Sequence, residues 1–226
     1  MNLTPLLSPI LVTLGLATSV TLVLLVLSTP LAWWLARGRG RGRNLVGALV
    51  SLPLVLPPTV LGFYLLLALG PNGPGGWIAG IWGARTLAFS FGGLMIGAGV
   101  ASLPFMVQPL RNSFAGIARE VLEAADSLGA GRWQKFRMVT LPLARPGYLV
   151  GAIMTFAHTM GEFGVVLMIG GNIPGQTKVL STALYDFVER LEWEKAHILA
   201  GGMVLFGFLV VFSTLVLGRR SMGPVE

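Results

Sequence analysis

The sequence predicts an all-helical integral membrane protein, and three observations carry that expectation: a composition 54% hydrophobic and 11% charged, charge-free runs of membrane length, and a one-sided distribution of basic residues. A chain of 226 residues so poor in charge cannot present a solvated surface on every side. A helix rises about 1.5 Å per residue, so about 20 apolar residues cross a hydrocarbon core about 30 Å thick. Trimming the runs at polar and turn residues leaves five spans, near 10–36, 45–69, 90–110, 147–170 and 196–217, in a single transmembrane domain covering 1–226.

The first span is not expected to be a cleavable signal, because Met1 to Pro9 carries no basic side chain and the apolar run is too long. The second span contains Pro53, Pro57 and Pro58, each of which removes a backbone donor and disturbs the preceding turn. Two half-helices are expected there. A broken helix is tolerated at membrane depth where it packs in protein or lines a watery cavity, so Pro53, Pro57, Pro58 and Thr59 read either as a gate or as a kinked packing helix. The Pro71-Asn72-Gly73-Pro74-Gly75-Gly76 cluster ends this run, and 77–89 is too short to cross alone. Pro104 and Pro109 predict kinking of the third span.

Lys and Arg in short loops stay on the cytoplasmic side, whereas acidic residues count little. Arg37, Arg39, Arg41 and Arg43, then Arg111, Arg119, Arg132, Lys135, Arg137 and Arg145, then Arg219 and Arg220 fall on one face, twelve of the sixteen basic residues. With five spans, this places the N-terminus outside and the C-terminus in the cytoplasm. The net charge of +7 then reflects topology and lipid contact, not nucleic-acid binding.

The cytoplasmic loop 111–145 has its own pattern. Ile117, Val121, Leu122, Ala125 and Leu128 recur at helical spacing, and Gly129 is a natural stop. A second short helix, 132–140, would present Trp133, Phe136 and Val139 before Pro142 and Pro146 break it. Periodicity alone would fit an amphipathic loop in the headgroup layer. The fixed offsets say more: Glu123-Ala124-Ala125, three residues, Gly129, nine residues, Val139, one residue, Leu141-Pro142. This spacing resembles the cytoplasmic signature of permease subunits in binding-protein-dependent ABC importers, with Val139 standing where that signature usually has Ile.

The resemblance implies a type I importer permease of five transmembrane helices, or six if the outer segment inserts, in the cell (inner) membrane. It implies that a second copy completes the path and that two ABC ATPase subunits, carrying ATP and magnesium, dock on the loop. The loop residues suit docking, since Ala124 and Ala125 allow close approach and Glu123 offers a charge to a partner's cation. The stretches Leu52 to Gly62, Gly161-Glu162-Phe163-Gly164 and Gly171 to Thr177 are similar to the molybdate branch, with tungstate inseparable from it and the sulfate branch as the alternative.

Glu162 is the costliest residue in the chain, a carboxylate near the bilayer middle costing a few kcal/mol. His158 shares its helical face four residues earlier. The pair reads as a structural tie, as a polar element of a gate, or as the proton relay that a secondary transporter would need. Beyond it, Gly170 to Gly175 reads as a tight irregular loop, followed by an amphipathic helix through Val179, Ala183, Phe187 and Leu191. Resemblance puts Asn172, Pro174 and Gly175 where an external oxyanion-binding protein docks. Asp186, Glu189, Glu192 and Glu194 could meet basic groups on it.

The chain has no Gly-x-x-x-x-Gly-Lys-Ser/Thr loop for phosphates, no cysteine, and its two histidines, His158 and His197, are far apart. Neither a resident cofactor or metal nor an activity of its own is expected. A proton-coupled secondary transporter remains the rival class, and the lack of a detectable inverted repeat weighs against it.

Overall fold

A computed structural model of the chain describes residues 4–38 and 40–221, so Arg39 of the first basic loop and Met1 to Leu3 lie outside the described residues. Among the described residues every regular element is helical: α1 Thr4–Ala36, α2 Arg41–Ser51, α3 Pro58–Leu69, α4 Pro74–Gly80, α5 Phe91–Ala115, α6 Arg119–Ser127, α7 Arg132–Lys135, α8 Leu141–Leu143, α9 Arg145–Gly161, α10 Gly164–Gly170, α11 Leu180–Glu189 and α12 Trp193–Ser221. Three stretches, Leu6–Ala36, Phe91–Ala115 and Trp193–Thr214, are long and apolar enough to cross a membrane alone. Two bent pairs, Arg41–Leu54 with Pro58–Leu69 and Arg145–Gly161 with Gly164–Gly170, bring the number to five when each counts as one span.

The second span is broken where its prolines predict. A short 3-10 turn, Leu52–Leu54, follows α2, and Pro58 opens α3 after a bend of 111°. The pair still joins the two ends of the bundle. Its start follows α1, and at its far end the Leu69 carbonyl accepts the amides of Leu87 and Ala88, just before α5 begins.

The fourth span is not the single helix expected over 147–170. It breaks at Glu162, whose backbone is extended, and α10 leaves α9 at 60°. No proline causes this. The break is held by bonds to other elements, described below.

A further correction concerns Pro142, expected to end the second loop helix. A π turn, Phe136–Thr140, lets the Leu141 amide reach back to the Phe136 carbonyl, and Pro142 enters as an early residue of α8, where no backbone donor is needed. Backbone bonds from Ala144 to Thr140 and from Tyr148 to Ala144 carry the helix on into α9. In α5, Pro104 and Pro109 lie inside one continuous helix.

The core forms where α1, α5 and α9 meet. Leu16, Val20, Leu94, Met106, Leu110 and Phe114 are buried there, and Phe114 packs edge-on against Trp33 and Tyr148, with ring centroids 5.3 and 6.1 Å away. Small residues let α5 and α9 approach: a Cβ on Gly147 would lie 2.8 Å from the Pro109 carbonyl oxygen, and one on Gly151 would lie 2.9 Å from Met106 Sδ. Helix α11 is tucked into the bundle, its Leu180 amide donating to Thr13 Oγ1 at 2.8 Å. With 10 residues it is too short to cross.

Gly147→Ala should therefore destabilise the bundle by about 1–3 kcal/mol through overpacking against a backbone oxygen. Gly99→Ala, whose Cβ would meet nothing within 4 Å, should not. Thermal melting of the two variants in detergent checks the contrast.

Candidate functional site

The two helix breaks meet. A Cβ on Gly164, at the start of α10, would sit 2.6 Å from Pro58 Cβ and 3.4 Å from Thr59 N, while one on Gly62 would sit 2.9 Å from Met168 Cβ. Only glycine permits so close a crossing. The elbow at Pro57, Pro58 and Thr59 and the break at Glu162, read separately from the sequence, thus form one structural unit.

Glu162 is buried at 7% exposure, and its groups are engaged. Its Oε1 accepts the Val165 amide at 3.0 Å and so caps the first turn of α10. Its backbone carbonyl accepts Ser181 Oγ at 2.6 Å, tying the break to α11. His158 Nε2 stands 3.6 Å from Glu162 Oε2, while His158 Nδ1 and Thr159 Oγ1 each lie 2.9 Å from Ser102 Oγ on α5. Phe105 stacks on the imidazole with centroids 4.1 Å apart. Of the readings open at the sequence level, the structural tie is the one these contacts describe.

Beside this cluster lies a cavity of about 410 Å³ whose walls include Leu54 at the elbow, Phe105, Gln108, Asn112 and Met154. Gln108 and Asn112, one turn apart on α5, are its amide donors, and Gln108 Nε2 donates to Ser51 Oγ at 3.3 Å. The sequence reading passed over them. The available signal was two amides four residues apart at the end of an otherwise apolar span.

In the loop, Gly129 adopts φ 76°, with its amide bonded to the Asp126 carbonyl and the Ala130 amide to that of Ala125. That is the left-handed helix stop that glycine serves best. Glu123 is 61% exposed and pairs with Arg119 at 2.8 Å, a surface pair worth little and easily exchanged for another partner. Ala124 is exposed, Ala125 is buried, and Val139, Leu141 and Pro142 are half-buried at the base. Leu128 and Trp133 stand out at 87% and 72% exposure, and Met138 and Leu143 are exposed as well, so the loop presents an apolar surface.

At the opposite end, Gly171, Asn172 and Gly175 all have positive φ, and Pro174 and Gly175 are exposed. Asn172 Nδ2 donates to Asp186 Oδ1 at 2.9 Å, and Lys178 pairs with the same carboxylate. Glu192 pairs with Lys195, and a bond from Tyr185 to Glu189 raises the phenol above its ordinary pKa. Asp186 and Glu192, two of the four acids that could face a partner, are thus paired within the chain.

Comparison with known proteins decides the family. Residues 28–222 match the family described as "Binding-protein-dependent transport system inner membrane component". The chain belongs to that family. This permease is 56% identical to the molybdenum transport system permease protein ModB of Azotobacter vinelandii, over 96% of both chains. It is 40% identical to the protein of the same name from Escherichia coli over 70% of this chain and 69% of that one. The sulfate transport system permease protein CysT of Escherichia coli matches at 33% over 85% of this chain and 71% of that one. Among solved structures, a permease chain of a bacterial alginate ABC transporter, in complex with an alginate-bound periplasmic protein, superposes with a TM-score of 0.73 at 19% identity. The match covers 96% of this chain and 79% of that one and shows the shared fold. The permease is thus an inner membrane component with a type I importer fold.

The bonds of Glu162 give a prediction that separates its roles. Glu162→Ala removes the cap from α10 and should cost about 1–3 kcal/mol, the desolvation penalty of an unpaired buried donor. Glu162→Gln keeps a carbonyl for the Val165 amide and should melt close to the parent. Detergent melting of both variants is the measurement.

Proposed function

We propose that this permease forms the translocation path of an ATP-driven importer for molybdate, with tungstate following the same route. The observation that carries the reading is the loop. A short helix, α6, carries exposed Glu123 and stops at Gly129, at the offsets of the family signature, with Leu128 exposed at its end and Trp133 exposed on α7 beyond the stop. An ATPase groove would cover this surface, with Glu123 exchanging Arg119 for a cation of the partner. The cargo assignment rests on the 56% identity to a molybdenum permease, against 33% to a sulfate permease.

In this reading a second copy of the chain closes the path against the exposed elbow, where Val55 is 81% exposed. ATP and magnesium bind the two partner ATPases, and an external binding protein delivers the oxyanion near Asn172, Pro174 and Gly175. The N-terminus lies outside and the C-terminus inside. Energy enters at the coupling loop: ATP binding draws the two ATPases together, and α6 moves with them. No step of the hydrolysis chemistry belongs to this chain. Proton coupling is disfavoured, because Glu162 already serves a backbone amide.

Gly129→Ala meets no neighbour within 4 Å, so its effect is confined to the backbone, where a left-handed residue with a side chain costs about 1–2 kcal/mol. In vesicles holding the permease, its ATPase and binding protein, Gly129→Ala and Leu128→Asp should each lower ATP-dependent molybdate uptake at least several-fold and weaken ATPase co-purification. Uptake that survives ATP depletion and collapses with the proton gradient would overturn the reading.

A further inference from the structure

At the cytoplasmic bend between α1 and α2 lies a second cavity, of about 280 Å³ and open on one side, where Asn44 and Arg111 are exposed. Its polar lining residues are Arg43, Arg111, Asn44 and Ser51, all able to donate, and no Asp or Glu lines it among the described residues. Two glycines make the space. A Cβ on Gly38 would lie 0.6 Å from Arg43 Nη1, and one on Gly47 would lie 3.8 Å from Arg111 Nη1. Arg43 also lies over the Trp34 ring, 5.0 Å from its centroid, which fixes the plane of its fork.

Arg43 is half-buried and Arg111 exposed, so solvent screens their like charges in part, and an anion held between them would relieve the rest of the repulsion. The surroundings supply none. On the other side of Gly38, Arg37 lies over Trp33 at 4.7 Å, and its Nε and Nη2 have neither solvent contact nor a partner among the described residues. Burial lowers the Arg37 pKa from its ordinary value. Arg119, which shares that side with Arg37, is held by Glu123.

The bond from Gln108 Nε2 to Ser51 Oγ lies between this cavity, which Ser51 lines, and the cavity beside the Glu162 cluster, which Gln108 lines. We infer that the Arg43–Arg111 cavity binds a tetrahedral oxyanion at the cytoplasmic end of the path, divided from that neighbouring cavity by the Gln108–Ser51 bond. Two guanidinium forks offer paired N–H donors to the oxygens of such a group, and Asn44 and Ser51 add neutral ones. The ligand has two sources. One is the transported oxyanion on its way out, which rests on the function proposed above; the other is the phosphate of an anionic lipid in the inner leaflet, which does not.

The test uses the full chain in nanodiscs and reads binding, so it stands apart from any failure of uptake. In phosphatidylcholine discs, inorganic molybdate is titrated by equilibrium dialysis. In discs doped with phosphatidylglycerol, retained lipid is counted by native mass spectrometry. Arg43→Gln and Arg111→Gln should each weaken whichever ligand binds by about tenfold, the loss of one charge-assisted pair. Arg43→Lys and Arg111→Lys should keep part of it, and all four should elute as the parent does. Saturable molybdate binding identifies the transported ion as the source; retained phosphatidylglycerol without molybdate binding identifies the lipid; both together support one site shared by the two. If neither ligand distinguishes the parent from the two Gln variants, the inference is overturned.

Discussion

Backbone groups inside hydrocarbon must find partners within the protein, and this chain interrupts two of its spans. It meets the requirement by docking one interruption on the other. Gly164 lies against Pro58, Glu162 receives the Val165 amide, and Ser181 reaches the Glu162 carbonyl from α11. At the far ends of α3 and α10, the amides of Leu87 and Ala88 use the Leu69 carbonyl, and the Phe89 amide uses that of Ile169. The broken helices therefore do not kink independently; moving one changes the partners of the other. A unit of this kind has a small number of packed arrangements, as a gate requires.

This constraint explains what the sequence made legible and what it did not. Proline acts locally, so the break at Pro53, Pro57 and Pro58 could be read from three residues, although its 111° turn could not. Gly129 was legible for the same reason, since a glycine after an amphipathic run serves the left-handed stop wherever the helix packs. The break at Glu162 has no local cause. It is sustained by a serine 19 residues away and by the crossing on α3, and periodicity carries no trace of such contacts. Glu162 itself was legible as costly, but its main partner, the Val165 amide, is in reach only because the helix is broken.

Pro142 failed in the opposite sense, as a local rule overridden by local geometry. The missing amide and the steric demand of the ring fall where a π turn has already shifted the bonding pattern by one residue. Gln108 and Asn112 were missed because attention to Pro104 and Pro109 made the third span a question of kinks. Their amides point to chemistry instead: a neutral donor can contact an anion without holding it, whereas a carboxylate such as Glu162 would repel one, and it is accordingly kept out of the open cavity by its own bonds.

The same π turn bears on how motion would cross the protein. Because Pro142 does not end the helix, residues from Arg132 to Gly161 form a nearly unbroken helical run, with the loop at one end and the Glu162 break at the other. Helices resist bending far more than loops do, so a displacement applied at α6, tied to this run by the Asp126–Lys135 pair, would be delivered along α9. It would arrive at His158, where Ser102 and Phe105 hold α5, and at Gly164, where α3 crosses. A chain that broke at Pro142 would absorb the displacement at the membrane surface. The unbroken run would instead deliver it to where, among the described residues, the two interrupted spans cross.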